Sequence, residues 1–400
     1  MTALETFRTQ VRDWIDANYP PSLREPLRVD GPDTPWGGRR TVYANPDVKV
    51  WMDRMAANGW TTPEWHPDHG GAGLSAEEAR VLREELAAAG CRVPLISFGL
   101  MMLAPVLLEF ASEQQRLRFL PSIARGEIRW CQGYSEPGAG SDLAGLKTRA
   151  EDLGDHYLVN GQKVWTSYAD QSDWIFCLVR TQTESKHGGI SFLLIDMTSP
   201  GIEARPIQLI SGKSPFCEVF FTDVRVPKEN LVGKPGEGWK IAKRLLQHER
   251  ANISTHLQTG LGGSPAGRSL ADLAKACVGE RDGRIADAHL REAVARHEMQ
   301  SEAIGLTLRR VQLESGKHGP SAASSITKAL GAQHNKDKHE LMVEIMGLAA
   351  LGWEGAPFTD EETEVCHHWL RSKGNSIEGG TSEVNLNVVA KRVQGLLDHQ

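Results

Sequence analysis

CQGYSEPGAGSDLAG at residues 131–145, followed by HYLVNGQKVWTS at 156–167, is the stretch from which the architecture of this chain is read. Its first part sets Gly138, Ala139 and Gly140 between a carboxylate, Glu136, and the Ser141-Asp142 pair, so the backbone can approach a ligand without Cβ interference. Its second part supplies an aromatic wall, ending at Trp165, Thr166 and Ser167. Within that part Asn160-Gly161 predicts a two-residue hairpin, because both residues tolerate positive φ. A glycine loop beside an aromatic strand end suits a flat, phosphate-bearing cofactor, which points to an enzyme.

The texture changes on either side of this stretch. Upstream, EEARVLREELAAAG (77–90) and LISFGLMMLAPVLLEFASEQQRLRFLPSIARG (95–126) show helix formers with apolar stripes at helical period. From 129 to 235 the runs are short, apolar or alternating, as in DWIFCLVR and CEVFFTDVRV, which is strand chemistry. Helical patterns return after Gly238. Helices, then strands, then helices predict an α+β chain with a separate central β domain.

With 400 residues, 40% hydrophobic residues and a net charge of −6, the chain can bury two or three cores and carries no basic surplus of the nucleic-acid-binding kind. The first residues, MTALETFRTQVRDWIDANYP, read as an amphipathic helix and not as a secretory signal. No apolar run approaches the ~20 residues of a membrane span. Six scattered cysteines without paired spacing suit a reducing, cytoplasmic compartment. Cys366-His367-His368, and His334 with His339, lack the spacing of a zinc site, so no metal is expected. SGKS at 211–214 has Ile207 where a phosphate-binding P-loop needs glycine.

YSEPGAGSD (134–142), KVWTS (163–167), FTDVRVPKENLVGKPGEGW (221–239), Glu249-Arg250 and IEGGTSEVNLNVVAKRVQGLL (377–397) stand in order and at matching spacing. Over these segments the sequence resembles the acyl-CoA dehydrogenase family. The resemblance implies a helical amino-terminal domain (1–128), a central β-barrel domain (129–235) and a carboxy-terminal helical bundle (236–400). It implies FAD as cofactor, an acyl-CoA substrate oxidised to a trans-2-enoyl-CoA, and an electron-transfer flavoprotein as acceptor. A homotetramer or homodimer is implied, with a mixed oligomer as the variant. Trp165 would pack on the flavin, with Thr166 and Ser167 at its polar edge, and Tyr134, Ser135 and Gly140 would meet it through backbone groups. Ser141 would lie between cofactor and acyl-CoA, Thr381 and Glu383 would approach the ribityl-phosphate portion, and Arg250 and Gly379 would contact substrate.

Two glutamates compete as the base. On a helix over 239–254, Glu249 falls on the stripe of Ala242, Leu246 and Ile253, where desolvation would raise its pKa towards a general base's range. Pairing with Arg250, Lys243 or His248 on a solvated face is the alternative that the pattern leaves open. The resemblance selects Glu249, because some members carry their base just before the arginine of this helix. Glu378 is the reserve: members with a base in that loop place it two residues before the Thr, where this chain has Gly379. The family's R-x-x-F-G and Q-x-x-G-G segments are also absent, with Arg281 and Arg284 near the first and Glu344-Ile345-Met346-Gly347-Leu348 at the second. Two rival functions follow, an acyl-CoA oxidase-like enzyme and a non-catalytic subunit of a mixed oligomer.

Overall fold

The computed structural model describes residues 2–25, 31–183, 185–258, 268–318 and 324–397, with the side chains of 249–258, 312, 315–318 and 324 outside the description. The chain forms two compact units, Met1–Ile207 with Pro215–Leu246, and Gln208–Ser214 with Gln247–Gln400.

The first unit opens with helices α1 (Ala3–Asn18), α2 (Asp47–Ala57), α3 (Ala76–Ala88), α4 (Ala104–Phe110) and α5 (Glu113–Ala124). Local chemistry sets their ends. Ser75 with Glu78, and Ser112 with Gln115, form reciprocal capping boxes that start α3 and α5. The 95–126 run is therefore broken at Ala111-Ser112, and a π-helical turn at Gly99–Leu103 precedes α4.

Strands β1 (Trp130–Gly133), β2 (Arg149–Asp152), β3 (His156–Ser167), β4 (Trp174–Arg180), β5 (Ile190–Asp196), β6 (Ile202–Ile207), β7 (Phe216–Pro227) and β8 (Leu231–Val232) follow. They pair in the order β6-β7-β3-β2-β4-β5-β8, with β1 parallel to β4. β4 reads as one apolar run because both its faces are covered. Phe176 and Leu178 pack with Leu107, Phe119 and Leu120 of α4 and α5, while Ile175, Cys177 and Val179 pack with Val159, Val219 and Val224.

The expected barrel is not closed. Among the described residues β2 meets β4 only at Arg149↔Arg180, and β6 and β8 have no further strand beside them. β8 is only two residues long and β6 carries Pro206, which has no N–H to give a further strand. The hairpin expected at Asn160-Gly161 is also corrected, because β3 runs straight through it. Gly161 sits at a register shift against β7, and a Cβ there would come within 2.7 Å of the Thr148 backbone. The chain turns instead between β2 and β3, where Gly154 has φ +93° and its N–H donates to Asp152 at 2.9 Å.

α6 (Gly238–Gln258) spans the expected helix, and its Ile241, Ala242 and Leu245 enter the first unit's core. The second unit continues with α7 (Leu270–Val278), a hairpin of β9 (Glu280–Arg281) and β10 (Arg284–Ile285), α8 (Ala288–His318), α9 (Ser324–Met346), α10 (Asp360–Ser372) and α11 (Ser382–Arg392). α9 is the hub against which α7, α8, α10 and α11 pack, through a core that includes Leu273, Leu290, Leu341, Ile345 and Val365. Of Leu386, Val389, Val393 and Leu396 only Val389 is buried, because Asn385 and Val389 form the inner face of α11 and the helix ends at Arg392.

Candidate functional site

In the first unit, the 134–141 loop is stitched down by one buried carboxylate. Glu136 accepts from the backbone N–H groups of Lys147 (2.6 Å) and Thr148 (2.9 Å) and from Lys163 Nζ (2.8 Å). Lys163, fully buried, also donates to the Tyr134 carbonyl at 3.1 Å. Glu136 and Ala139 exchange backbone hydrogen bonds of 2.9 and 3.0 Å, and Val164 N–H donates to the Ser135 carbonyl at 2.9 Å. Burial pushes the Glu136 carboxyl up. The charge of Lys163, with the donated hydrogen bonds, outweighs it and holds the group below the usual carboxylate range. The outer side of the loop is free: a Cβ on Gly138 or Gly140 would meet no atom within 4 Å. Ser141 is exposed beyond it, next to Asp142, which pairs with Lys186 at 2.9 Å. A cleft of about 270 Å³ runs along the loop's flank, lined by Glu136–Gly138, Lys147, Thr148, Gly161 and Gln162. None of Trp165, Thr166 or Ser167 lines it.

The end of β3 is shaped by a second bulge, between Lys163 and Thr166. It places Trp165 at φ +60°, a left-handed conformation rare for a bulky residue, with 56% of its surface exposed. The ring stands edge-on to Phe216 at 6.1 Å. Such strain clusters where a side chain is being aimed at something. Thr166 beside it is fully buried, its hydroxyl oxygen without a hydrogen-bond partner among the described residues, and Ser167 is half-buried. The next residue, Tyr168, is also left-handed and forms one side of a cation sandwich, with the buried Arg129 guanidinium 5.0 Å from both the Tyr168 and Trp36 rings. Tyr134 is buried edge-on to Phe176 and Phe192. An exposed, strained indole, a buried hydroxyl without partner and an unobstructed glycine loop fit a flat ring with a polar edge.

In the second unit, Glu249 and Arg250 lie on α6, and their side chains are outside the described residues. The 375–381 loop is fully described. Glu378 accepts from Arg371 Nη2 and from Asn375 Nδ2, each at 2.6 Å, one on each carboxylate oxygen. Lys328, buried on α9, donates to the carbonyls of Asn375 (2.8 Å) and Gly380 (2.7 Å). Gly379 and Gly380 are exposed at φ +61° and +89°. Thr381 caps α11, accepting from Val384 N–H at 3.2 Å. The exposed Glu383 carboxyl is held below the usual range by backbone N–H at the helix start and by the Thr381 hydroxyl.

Where the two segments are absent, Glu344 pairs with His289 at 3.2 Å, Gly347 has φ +57° and Leu348 is exposed. Arg281 and Arg284 are register partners across the Asp282-Gly283 turn, both exposed. His297 stacks on His334 with ring centroids 3.9 Å apart. Among the described residues no group of three or more His, Cys, Asp or Glu is arranged to hold a metal ion, and no helix is long and apolar enough to cross a membrane.

Lys163 and Lys328 were missed by sequence reasoning. The first had a signal: alternation from Tyr157 and Val159 through Gly161 puts Lys163 on the buried face.

Comparison with known proteins covers the whole chain. Family models described as the acyl-CoA dehydrogenase N-terminal, middle and C-terminal domains match residues 2–127, 131–224 and 236–394. Acyl-CoA dehydrogenase IpdE1 of Mycobacterium tuberculosis (strain ATCC 25618 / H37Rv) is 36% identical, covering 99% of this chain and 98% of that protein. Its namesake from Mycolicibacterium smegmatis (strain ATCC 700084 / mc(2)155) is 35% identical over 99% of this chain and 98% of that protein. A solved structure titled Tcur3481-Tcur3483 steroid ACAD is 27% identical with TM-score 0.75, covering 99% of this chain and 98% of that one. One titled the ChsE4-ChsE5 complex from Mycobacterium tuberculosis is 28% identical with TM-score 0.70, covering 100% and 99%.

Proposed function

Because the chain belongs to the acyl-CoA dehydrogenase family, we propose that it oxidises the Cα–Cβ bond of an acyl-CoA thioester to the trans-2-enoyl-CoA with Glu249 as the base. The chemistry that FAD supplies when bound is acceptance of the hydrogen leaving Cβ with its electron pair. The α-proton goes to the Glu249 carboxylate, and the charge that develops on the thioester oxygen is met by a backbone N–H next to Gly379, since fixed donors are needed where charge develops. Trp165 gives the flavin ring its wall, and Thr166 and Ser167 serve its polar edge. Tyr134, Ser135 and Gly140 hold it through backbone groups. Thr381 and Glu383 take the ribityl-phosphate side, while Ser141 and Arg250 hold substrate. The working domain limits are 1–128, 129–235 and 236–400.

One observation carries the choice of base. Both oxygens of Glu378 are already engaged at 2.6 Å, one by the Arg371 cation. Either oxygen would have to give up a partner to take the α-proton, so Glu378 suits loop anchoring better than proton removal. The test is anaerobic flavin bleaching by a panel of straight, branched and ring-bearing acyl-CoAs. Ring-bearing substrates enter because a solved relative is titled a steroid ACAD. Glu249→Gln is expected to abolish bleaching while Glu378→Gln retains it, and the reverse pattern overturns the assignment.

Electrons pass to an electron-transfer flavoprotein, and carrier-free aerobic turnover with peroxide would favour the oxidase alternative. All six cysteines are free, which suits the cytoplasm. The assembly is a homotetramer or homodimer. A mixed oligomer is the second reading, favoured by the altered 344–348 segment and by relatives whose titles name two chains. Purified alone, a chain that holds no flavin would favour that reading.

A further inference from the structure

The 375–381 loop has an inner and an outer side with opposite hydrogen-bond states. On the inner side every element is tied. Lys328 Nζ donates to the Asn375 and Gly380 carbonyls at 2.8 and 2.7 Å, spanning the loop from end to end. Asn385 Nδ2 donates to the Gly380 and Thr381 carbonyls at 2.9 and 3.0 Å, and Asn335 Nδ2 donates to Asn375 Oδ1 at 2.8 Å. On the outer side Ile377, Gly379 and Gly380 are exposed, and the N–H groups of Gly379 and Gly380 have no acceptor among the described residues.

Lys328 is 7% exposed, and among the described residues no carboxylate lies within ion-pairing distance of it. Burying an ammonium without an ion-pair partner is unfavourable, and desolvation pulls its pKa below the ordinary lysine range, with the charges of Glu378 and Glu383 opposing from a distance. A methionine or leucine would fill the same space without that penalty. Two carbonyls accept from it, and their peptide groups carry the N–H of Ser376 and of Thr381, so the amides of Gly379 and Gly380 between them are placed by the clamp and not polarised through it.

We propose that Lys328 is a positioning residue for the dehydrogenation: its buried ammonium clamps the Asn375 and Gly380 carbonyls so that the amides of Gly379 and Gly380, exposed and without an internal acceptor among the described residues, are held preshaped as donors to the acyl thioester and cofactor. It touches neither ligand. This deepens the function proposed above and rests on its reading that a backbone N–H next to Gly379 meets the thioester.

The test uses the full-length flavin-loaded protein with Lys328→Met, Lys328→Arg and Asn385→Ala. Lys328→Met is expected to speed hydrogen exchange of the Ile377 and Glu378 amides, which are bonded to the Gly374 carbonyl, at least about tenfold, and to lower kcat roughly 10- to 100-fold while KM for acyl-CoA changes less. It should also erase the shift in flavin absorbance that acyl-CoA binding induces. Lys328→Arg, which keeps the charge, should recover part of all three. Asn385→Ala removes neutral donors only, so it should loosen the loop with a smaller loss of kcat. Unchanged exchange or unchanged kcat in Lys328→Met overturns the proposal. So does an Asn385→Ala variant as slow as Lys328→Met, since the charge would then be irrelevant. If Lys328→Met does not fold, an arginine variant with wild-type exchange but no rescue of kcat overturns it equally. Wild-type protein that holds flavin yet is bleached by no acyl-CoA sinks the functional reading itself, a result distinguishable from any behaviour of the variants.

Discussion

Two glycine-bearing loops carry most of the candidate site residues, and each is held from behind by a buried lysine that donates to backbone carbonyl oxygen, one carbonyl for Lys163 and two for Lys328. In the first unit Lys163 reaches the Tyr134 carbonyl and also Glu136, so its charge is cancelled at 2.8 Å. In the second unit Lys328 reaches two carbonyls, while the nearby Glu378 is engaged by Arg371 and Asn375. The contrast separates two tasks. A paired charge fixes shape with little net field, whereas an unpaired one fixes shape and leaves a positive potential on the peptide groups it touches. In the proposed function the first suits a platform for a ring, the second a loop that stabilises growing negative charge.

The largest expected effect breaks the paired member. Glu136→Gln or Lys163→Met alone strands a buried charge, at a loss of about 3–5 kcal/mol, seen as a lower melting temperature and lost flavin. The double variant should recover much of that stability, because it buries no lone charge. If each single variant costs less than about 1 kcal/mol, the pair behaves like a surface contact and the platform argument fails.

Acid should separate the two units. Burial pulls His297 and His339 in the second unit down to about 4. His297 on α8 faces His334, Asp337, Lys338 and His339 of α9, while His339 faces Lys338, His368 and Lys373. Both stay neutral when folded but take protons near pH 6.5 when unfolded, so their stabilisation is complete above about pH 6.5 and is lost as pH falls towards 4. Glu136, depressed in the first unit, loses its contribution only once pH drops below the ordinary carboxylate range. Hydrogen exchange should therefore show α8 and α9 losing roughly 2–3 kcal/mol of protection between pH 7 and 5, with the sheet unaffected. Loss from the sheet first would reverse the assignment. His339→Phe should flatten the profile.

The sequence carried the order of helices, strands and helices, because that order depends on local chemistry such as the apolar run of β4. It did not carry closure of the sheet, which turns on whether β6 and β8 find partners. The Asn160-Gly161 pair misled because a dipeptide that permits a turn also permits a bulge, and the partner strand β7 decides which. Lys163 was readable by alternation once β3 is taken as continuous. Lys328 was not, since its burial depends on carbonyls at 375 and 380, remote in sequence.

A smaller effect tests whether Trp165 is strained for a purpose. Its left-handed φ of +60° is unfavourable by roughly 1–2 kcal/mol for a residue with a Cβ. Asparagine tolerates that conformation and valine does not. Trp165→Asn should leave apoprotein stability within about 1 kcal/mol of wild type, and Trp165→Val should fall below Trp165→Asn by about the same amount. Both should lose flavin. Equal stabilities would mean that the bulge relaxes and the conformation is not imposed.

The smallest effect concerns the end of the second loop. Thr381 accepts one N–H at 3.2 Å as the cap of α11, and removing a cap typically lowers stability by about 1 kcal/mol. The carbonyls of Gly380 and Thr381 are meanwhile held by Lys328 and Asn385, which the substitution does not touch. Thr381→Ala should therefore fray the first turn of α11 while leaving exchange at residues 375–380 unchanged, and Thr381→Ser should behave as wild type. If Thr381→Ala loosens the whole loop as much as Lys328→Met does, the cap and not the buried ammonium sets its shape, and the contrast between the two lysines loses its second half.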